Sequence, residues 1–152
     1  MKTDMTTEEN SHGSATALET YLGKPVARQA YGYAGLTRYQ AEGEEDCWAV
    51  GTYAECEAAT EKLVRDSLFT YRAAVIAGAC GVPLLAPYLE EVQRTRDEAC
   101  NGALEQLIER TCGMPAFVRQ VVALDGREAI LSGSGGGEVI HLGSGFIAVR
   151  VY

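Results

Sequence analysis

The sequence is poor in the residues from which reactive sites are usually built. Its two histidines, His12 and His141, lie far apart in the chain, and its five cysteines (Cys47, Cys56, Cys80, Cys100, Cys112) include no CxxC spacing. A zinc site needs four ligands, usually as two close pairs, so neither a metal nor a cofactor is expected. The start, MKTDMTTEENSHGS, lacks the apolar stretch of a secretory signal, and the longest apolar run, Ala73 to Cys80, is far short of a membrane span. Positive charge is scarce as well. Thirteen Lys and Arg face 21 Asp and Glu, giving a net charge of −8 and a pI near 4.8. That balance argues against direct nucleic-acid binding and against docking on anionic lipid. It favours a partner protein with a basic surface. Cytoplasmic location with reduced thiols, most of them small core residues, is the simplest expectation.

With 47% apolar and 22% charged residues over 152 positions, the chain is ordinary globular material rather than disordered. Its acid is unevenly spread. Residues 1–46 hold eight acidic and four basic side chains, residues 86–111 six and three, and residues 112–152 three and three.

Residues 1–18, rich in Thr, Glu and Ser, read as a flexible tail. Residues 19–46 spread Tyr21, Tyr31, Tyr33 and Tyr39 among Gly23, Gly32 and Gly35, an irregular segment or a tyrosine-rich binding arm that ends in the acidic run at Glu44-Glu45-Asp46. Residues 47–152 read as one α+β domain. Cys47-Trp48-Ala49-Val50 is a short apolar strand, and Thr52 with Glu55 forms a capping box that opens an amphipathic helix. Ala73–Cys80 is apolar on every side and predicts a buried helix ended by Gly81 and Pro83. A long helix follows over 87–112, with Leu89, Val92, Ala99, Ala103 and Leu107 in its core stripe. Arg96 interrupts that stripe and Gly102 weakens it, leaving a bend or a shorter helix open. A short helix over 115–124 buries Phe117, Val118 and Val121. Then come three strands, Ala129–Ser132, Glu138–Leu142 and Phe146–Tyr152, divided by Gly-rich turns. The fold class expected is α+β, a helical N-terminal half packed on a C-terminal antiparallel three- to four-stranded β-meander.

No residue set marks a catalytic centre. The stretch from Ser132 to Glu138 is glycine-rich, but a phosphate loop would lead into a helix and carry a Lys-Ser/Thr pair; between two strands it reads as a flexible hairpin. The acidic helix is more suggestive. Glu91, Glu98 and Glu105 recur every seven residues with Glu90 and Asp97 beside them, a step of roughly 10 Å along a continuous helix. Such rows could imitate a line of phosphates, or be a solvated face.

The C-terminal residues Gly137-Glu138, His141-Leu142-Gly143, Gly145-Phe146 and Val149-Arg150 resemble the closing motif of small, mostly uncharacterised proteins of bacteriophages and plasmids. In that family the first turn reads closer to Tyr-Asp-Gly-Glu and the last strand closes on Tyr-Arg; here Gly135-Gly136 and Val149 stand instead. The resemblance implies a phage or mobile element acting inside a bacterium, with no active site to transfer. In that setting the expected function is non-enzymatic: a binding protein that modulates a host protein, as a counter-defence inhibitor of the anti-CRISPR or antirestriction kind does. Its contacts would come from Glu90, Glu91, Asp97, Glu98 and Glu105, assisted by Glu44, Glu45, Asp46 and Tyr39. The alternatives are an accessory module that forms homo-oligomers through the C-terminal strand as an open edge, and a small enzyme using a cysteine or the Gly-rich loop.

Overall fold

The computed structural model describes residues 7–94, 97–133 and 138–151, with side chains from Gly13 onward. It is a mixed α+β fold that divides into two compact units. One holds the described residues up to Ala59 together with those from Leu131 onward; the other is Thr60–Ile130.

The first unit is an open five-stranded antiparallel sheet in the order β1-β2-β3-β5-β4. Its strands are β1 (Val26–Arg28), β2 (Thr37–Ala41), β3 (Cys47–Thr52), β4 (Val139–His141) and β5 (Phe146–Val151). Strands therefore come from both ends of the chain rather than from a C-terminal meander. β5 pairs with β3 from Cys47↔Val151 to Thr52↔Phe146 and with β4 on its other side. It is an interior strand, not the open edge expected; the edges are β1 and β4, three residues each. Short edges give another chain little backbone to pair with.

Helix α1 (Thr7–Leu22) occupies ground expected to be a tail. Its Thr, Ser and Gly content gives little intrinsic helicity, so tertiary burial decides the matter. Ala17 and Leu18 join Tyr39, Trp48, Val50, Phe146 and Ala148 in one apolar cluster. The Ser14 hydroxyl lies 2.6 Å from that of Tyr39, and a Cβ at Gly13 would stand 3.4 Å from the Phe146 ring. The other sheet face carries Cys47, Ala49, Ile147, Val149 and Val151, also buried. With both faces covered, β3 and β5 must be apolar almost throughout.

The segment 19–46 is more regular than its glycines suggest. β1 and β2 form a hairpin whose tip is a two-residue turn, with Ala34 at φ 52° and Gly35 at φ 88°. Positive φ at both positions is what the twist of a hairpin favours. At β3 the chain needs Gly51, because a Cβ there would lie 2.5 Å from Leu36 Cδ2 and 3.1 Å from Glu55 Cβ. Thr52 then opens α2 (Tyr53–Asp66) through the expected box: its amide donates to Glu55 Oε1 at 2.8 Å, and Glu55 N donates to Thr52 Oγ1 at 3.2 Å.

The second unit is helical: the rest of α2, then α3 (Ala73–Ala79), α4 (Ala86–Val92), α5 (Asn101–Arg110), α6 (Met114–Asp125) and the first residues of α7 (Arg127–Ser132). Its core gathers Val64, Leu68, Ile76, Leu89, Leu104, Ile108, Met114, Phe117 and Val121. α3 is buried on one side only, through Ala73, Ile76 and Ala77, because Ala74 and Gly78 are small enough to face water at little cost. The long helix expected over 87–112 is broken in two. Gln93 is responsible at the first end: its buried side chain turns inward and donates to Tyr71 O at 2.7 Å. Asp97, in extended conformation, accepts from Ala99 N at 3.0 Å and caps a short 3₁₀ turn before α5. Asn101 accepts from Phe69 N and donates to Asp66 O. Ala129–Ser132 is helix α7 rather than a strand, since Gly126 (φ 87°) ends α6 and lets a new turn start. Residues 134–137 of the Gly-rich stretch lie outside the described residues, as does Tyr152.

Two consequences are measurable. Gly51→Ala should lower unfolding free energy in urea by about 1–3 kcal/mol through overpacking against Leu36 and Glu55. The second concerns pH. Burial first, and the Asp125 carboxylate second, push the Tyr71 hydroxyl from 10.0 to about 12. Between those values the folded form keeps a proton that the unfolded chain has lost, so this contribution is intact below pH 10 and is lost as pH rises toward 12. Tyr71→Phe should remove about 1 kcal/mol of that alkaline loss, a small figure because the ring is partly exposed and screened. Denaturant titrations of both proteins across the window check it.

Candidate partner-binding surface

The expected contact residues do not form one face. Glu90 and Glu91 are exposed on α4, Asp97 caps the 3₁₀ turn that contains Glu98, and Glu105 sits on α5. Because α4 ends at Val92, Glu91, Glu98 and Glu105 share no helix axis, and the seven-residue row is not a continuous line of charge. Three of these carboxylates are also engaged. Glu91 pairs with Arg94 at 3.1 Å, Glu105 lies 3.7 Å from Arg65, and Asp97 holds its cap. Ion pairs this exposed add little stability.

Glu44, Glu45 and Asp46 do come together, in the β2–β3 turn of the first unit, but two of them serve the fold. Glu44 lies 4.0 Å from Lys24 Nζ. Asp46 accepts from Arg150 at 2.8 Å and 3.0 Å, while Glu138 takes the other arm of that guanidinium at 3.1 Å. Arg150 also lies 5.7 Å from the centre of the Trp48 ring, its cross-strand neighbour. Desolvation pulls the Arg150 pKa down, but Asp46 and Glu138 outweigh it and the net shift is upward. Tyr39 is no surface contact at all: it is 2% exposed, in the core beneath α1. The tyrosine arm is likewise divided. Tyr31 and Tyr21 are exposed, whereas Tyr33 donates to Leu131 O at 2.7 Å and its pKa is raised by burial.

The surface that stands out is Pro83–Glu91, only part of which was foreseen. A 3₁₀ turn (Pro83–Leu85) runs into α4; Val82, Ala86, Leu89, Val92 and Gln93 face inward. Their spacing fixes what faces outward: Pro83, Leu84, Leu85, Pro87 and Tyr88, then Glu90 and Glu91. Leu84 is 93% exposed and Tyr88, four residues on, 62%. An apolar tip beside an acidic patch is a poor use of surface for solubility and a common form of docking site. The residues missed were Leu84, Leu85 and Tyr88. Their signal was legible in part, since Tyr88 falls one position off the stripe that Leu89 and Val92 define.

Elsewhere in the first unit, a groove of about 540 Å³ runs between α1 and the β4–β5 turn, lined by Thr16, Thr20, Tyr21, Leu142, Ser144 and Phe146 among others. No carboxylate, thiol or imidazole lies among its described lining residues. Among the described residues no group of three or more His, Cys, Asp or Glu is placed to hold a metal ion, and no helix is long and apolar enough to cross a membrane. The chain matches no protein-family model, no curated protein and no solved structure.

If Leu84 is kept for contact rather than for folding, Leu84→Ser should change unfolding free energy by less than about 0.5 kcal/mol. Leu89→Ala, from the buried side of the adjoining helix α4, should cost about 2–5 kcal/mol. Parallel urea melts of the two variants separate the roles.

Proposed function

We propose that the chain is a non-enzymatic binding protein that modulates a host protein, docking through Pro83–Glu91 onto an apolar pocket bordered by basic residues. The observation that carries this is the 93% exposure of Leu84 beside Tyr88, with Glu90 and Glu91 on the next turn. Burying Leu84 and Tyr88 against a partner would contribute roughly 1.5–3 kcal/mol each, enough to act as anchors. The net charge of −8 then steers the complex toward a cationic surface and discourages acidic competitors. A basic pocket of this kind fits a host protein that handles nucleic acid. The C-terminal resemblance supports a phage or plasmid setting inside a bacterium, and with it a counter-defence role.

The test begins with a tagged full-length chain used to capture protein from bacterial lysate at low salt, followed by affinity measurement on the purified partner. Wild type should hold one partner that elutes at moderate salt. Leu84→Asp with Tyr88→Ala should weaken that binding by roughly 30-fold or more, and Glu90→Lys with Glu91→Lys should slow association and flatten its salt dependence. A double apolar variant that binds as tightly as wild type, or capture of nothing but further copies of the chain, overturns the reading.

A further inference from the structure

Two asparagines occur in the chain, and only Asn101 is followed by glycine. An Asn-Gly pair is the sequence in which an asparagine side chain is lost most readily, because glycine leaves the backbone nitrogen after it unhindered. The pair stands at the start of α5, where the Asn101 carboxamide is held from both sides. Its Oδ1 accepts from Phe69 N at 2.9 Å and its Nδ2 donates to Asp66 O at 2.8 Å. Those bonds tie α5 to the last residue of α2 and to the 3₁₀ turn Leu68–Thr70, whose Leu68 sits in the helical core. Packing does not ask for glycine at 102. A Cβ there would meet nothing within 4 Å, its φ lies outside the left-handed range, and it is exposed; alanine would favour the helix.

We infer that Asn101 is a spontaneous deamidation site gated by the fold, and that its conversion permanently releases α5 from α2. The Gly102 nitrogen gives its proton to hydroxide and attacks Asn101 Cγ. A C–N bond forms, the Cγ–Nδ2 bond breaks, and the side-chain nitrogen takes a proton from water and leaves as ammonia. Water then opens the five-membered imide at either carbonyl, giving aspartate or isoaspartate. One water is consumed and one ammonia released overall. The closed junction opposes the first step. Asn101 has φ −59° and ψ −39°, and swinging the Gly102 nitrogen over Cγ requires leaving that helical ψ and letting go of both carboxamide bonds. The reaction therefore draws on the fraction of molecules in which the helix start has opened. Neither product restores the tie. Aspartate has no N–H for Asp66 O and sets an anionic oxygen where the donor stood; isoaspartate adds a methylene carbon to the backbone and breaks the helical repeat. The helix N-terminus favours an anion, but only a carboxamide both donates and accepts as this junction requires.

The experiment incubates the full-length chain in mildly alkaline buffer, with and without urea. It follows tryptic peptide 97–110 by mass spectrometry and by chromatography that separates aspartate from isoaspartate. Both products should accumulate at Asn101, more slowly in buffer than in denaturing urea by roughly tenfold or more, the closed-to-open ratio of a helix end. Through the urea transition the rate should rise with the unfolded fraction. Gly102→Ala should convert several-fold more slowly than wild type at every urea concentration, while unfolding at no lower urea. The converted protein, separated by its extra negative charge, should show a folded-to-unfolded ratio about fivefold or more below that of the unconverted. Conversion confined to urea, equal rates in buffer and urea, or converted protein as stable as the unconverted overturns the inference. The urea series uses wild type alone, so its result stands whatever the stability of the alanine variant.

Discussion

Everything in the sheet unit depends on β3 and β5 finding each other. Cys47–Thr52 and Phe146–Val151 pair over six positions, although the whole helical unit separates them in sequence. Closing so long an excursion carries an entropic cost that grows only slowly with length, and burial on both faces of the pair offsets it. Trp48, Val50, Phe146 and Ala148 go under α1; Cys47, Ala49, Ile147, Val149 and Val151 fill the other side. Once this ladder exists, β2 extends it on one flank and β4 on the other. The three-residue strands β1 and β4 then close the sheet with very little exposed edge.

Polar contacts locate what the apolar ladder leaves undefined. Arg150 stands opposite Trp48 in the register and spans Asp46, beside the β2–β3 turn, and Glu138, before β4. A register slip of one residue would move Arg150 to the other face, where Val149 and Val151 are buried. The helical unit uses side-chain amides for the same purpose. Gln93 bonds Tyr71 O, and Asn101 bonds Phe69 N and Asp66 O, capping backbone groups where short helices meet and no ladder can reach them. These contacts explain why the unit tolerates so many breaks.

What could be read in advance follows from this division. Elements stabilised by their own local pattern were legible: the Thr52–Glu55 box, the amphipathic α2, the proline-led α6, and strands β3, β4 and β5. Elements that exist through distant burial were not. α1 has almost no apolar stripe and is helical because Ala17, Leu18 and Ser14 meet Tyr39 and its neighbours. The break after Val92 rests on one buried glutamine whose hydrogen-bond partners lie more than twenty residues away. α7 reads as a strand because Ala129-Ile130-Leu131 is apolar enough for either state, a short run for which periodicity alone cannot arbitrate. The candidate surface was half legible: its charges are visible in composition, whereas Leu84 and Leu85 precede the helix read over 87–112, where no periodicity assigns them a face.

That break also changes how the acidic residues can act. On a continuous helix, Glu91, Glu98 and Glu105 would have formed an evenly spaced row whose geometry itself carried information. Distributed over α4, a 3₁₀ turn and α5, with Arg94 and Arg65 against two of them, they contribute a diffuse field instead. Such a field sets association rate and excludes partners of like charge, but screening at physiological salt limits what it adds to affinity. Affinity then has to come from surface that is costly to leave in water. On the described residues of the helical unit, Leu84 and Tyr88 are prime examples of it. In the docking reading, acid and apolar residues are therefore not redundant: the charges bring the basic partner to α4, and the leucine and tyrosine determine how long it stays.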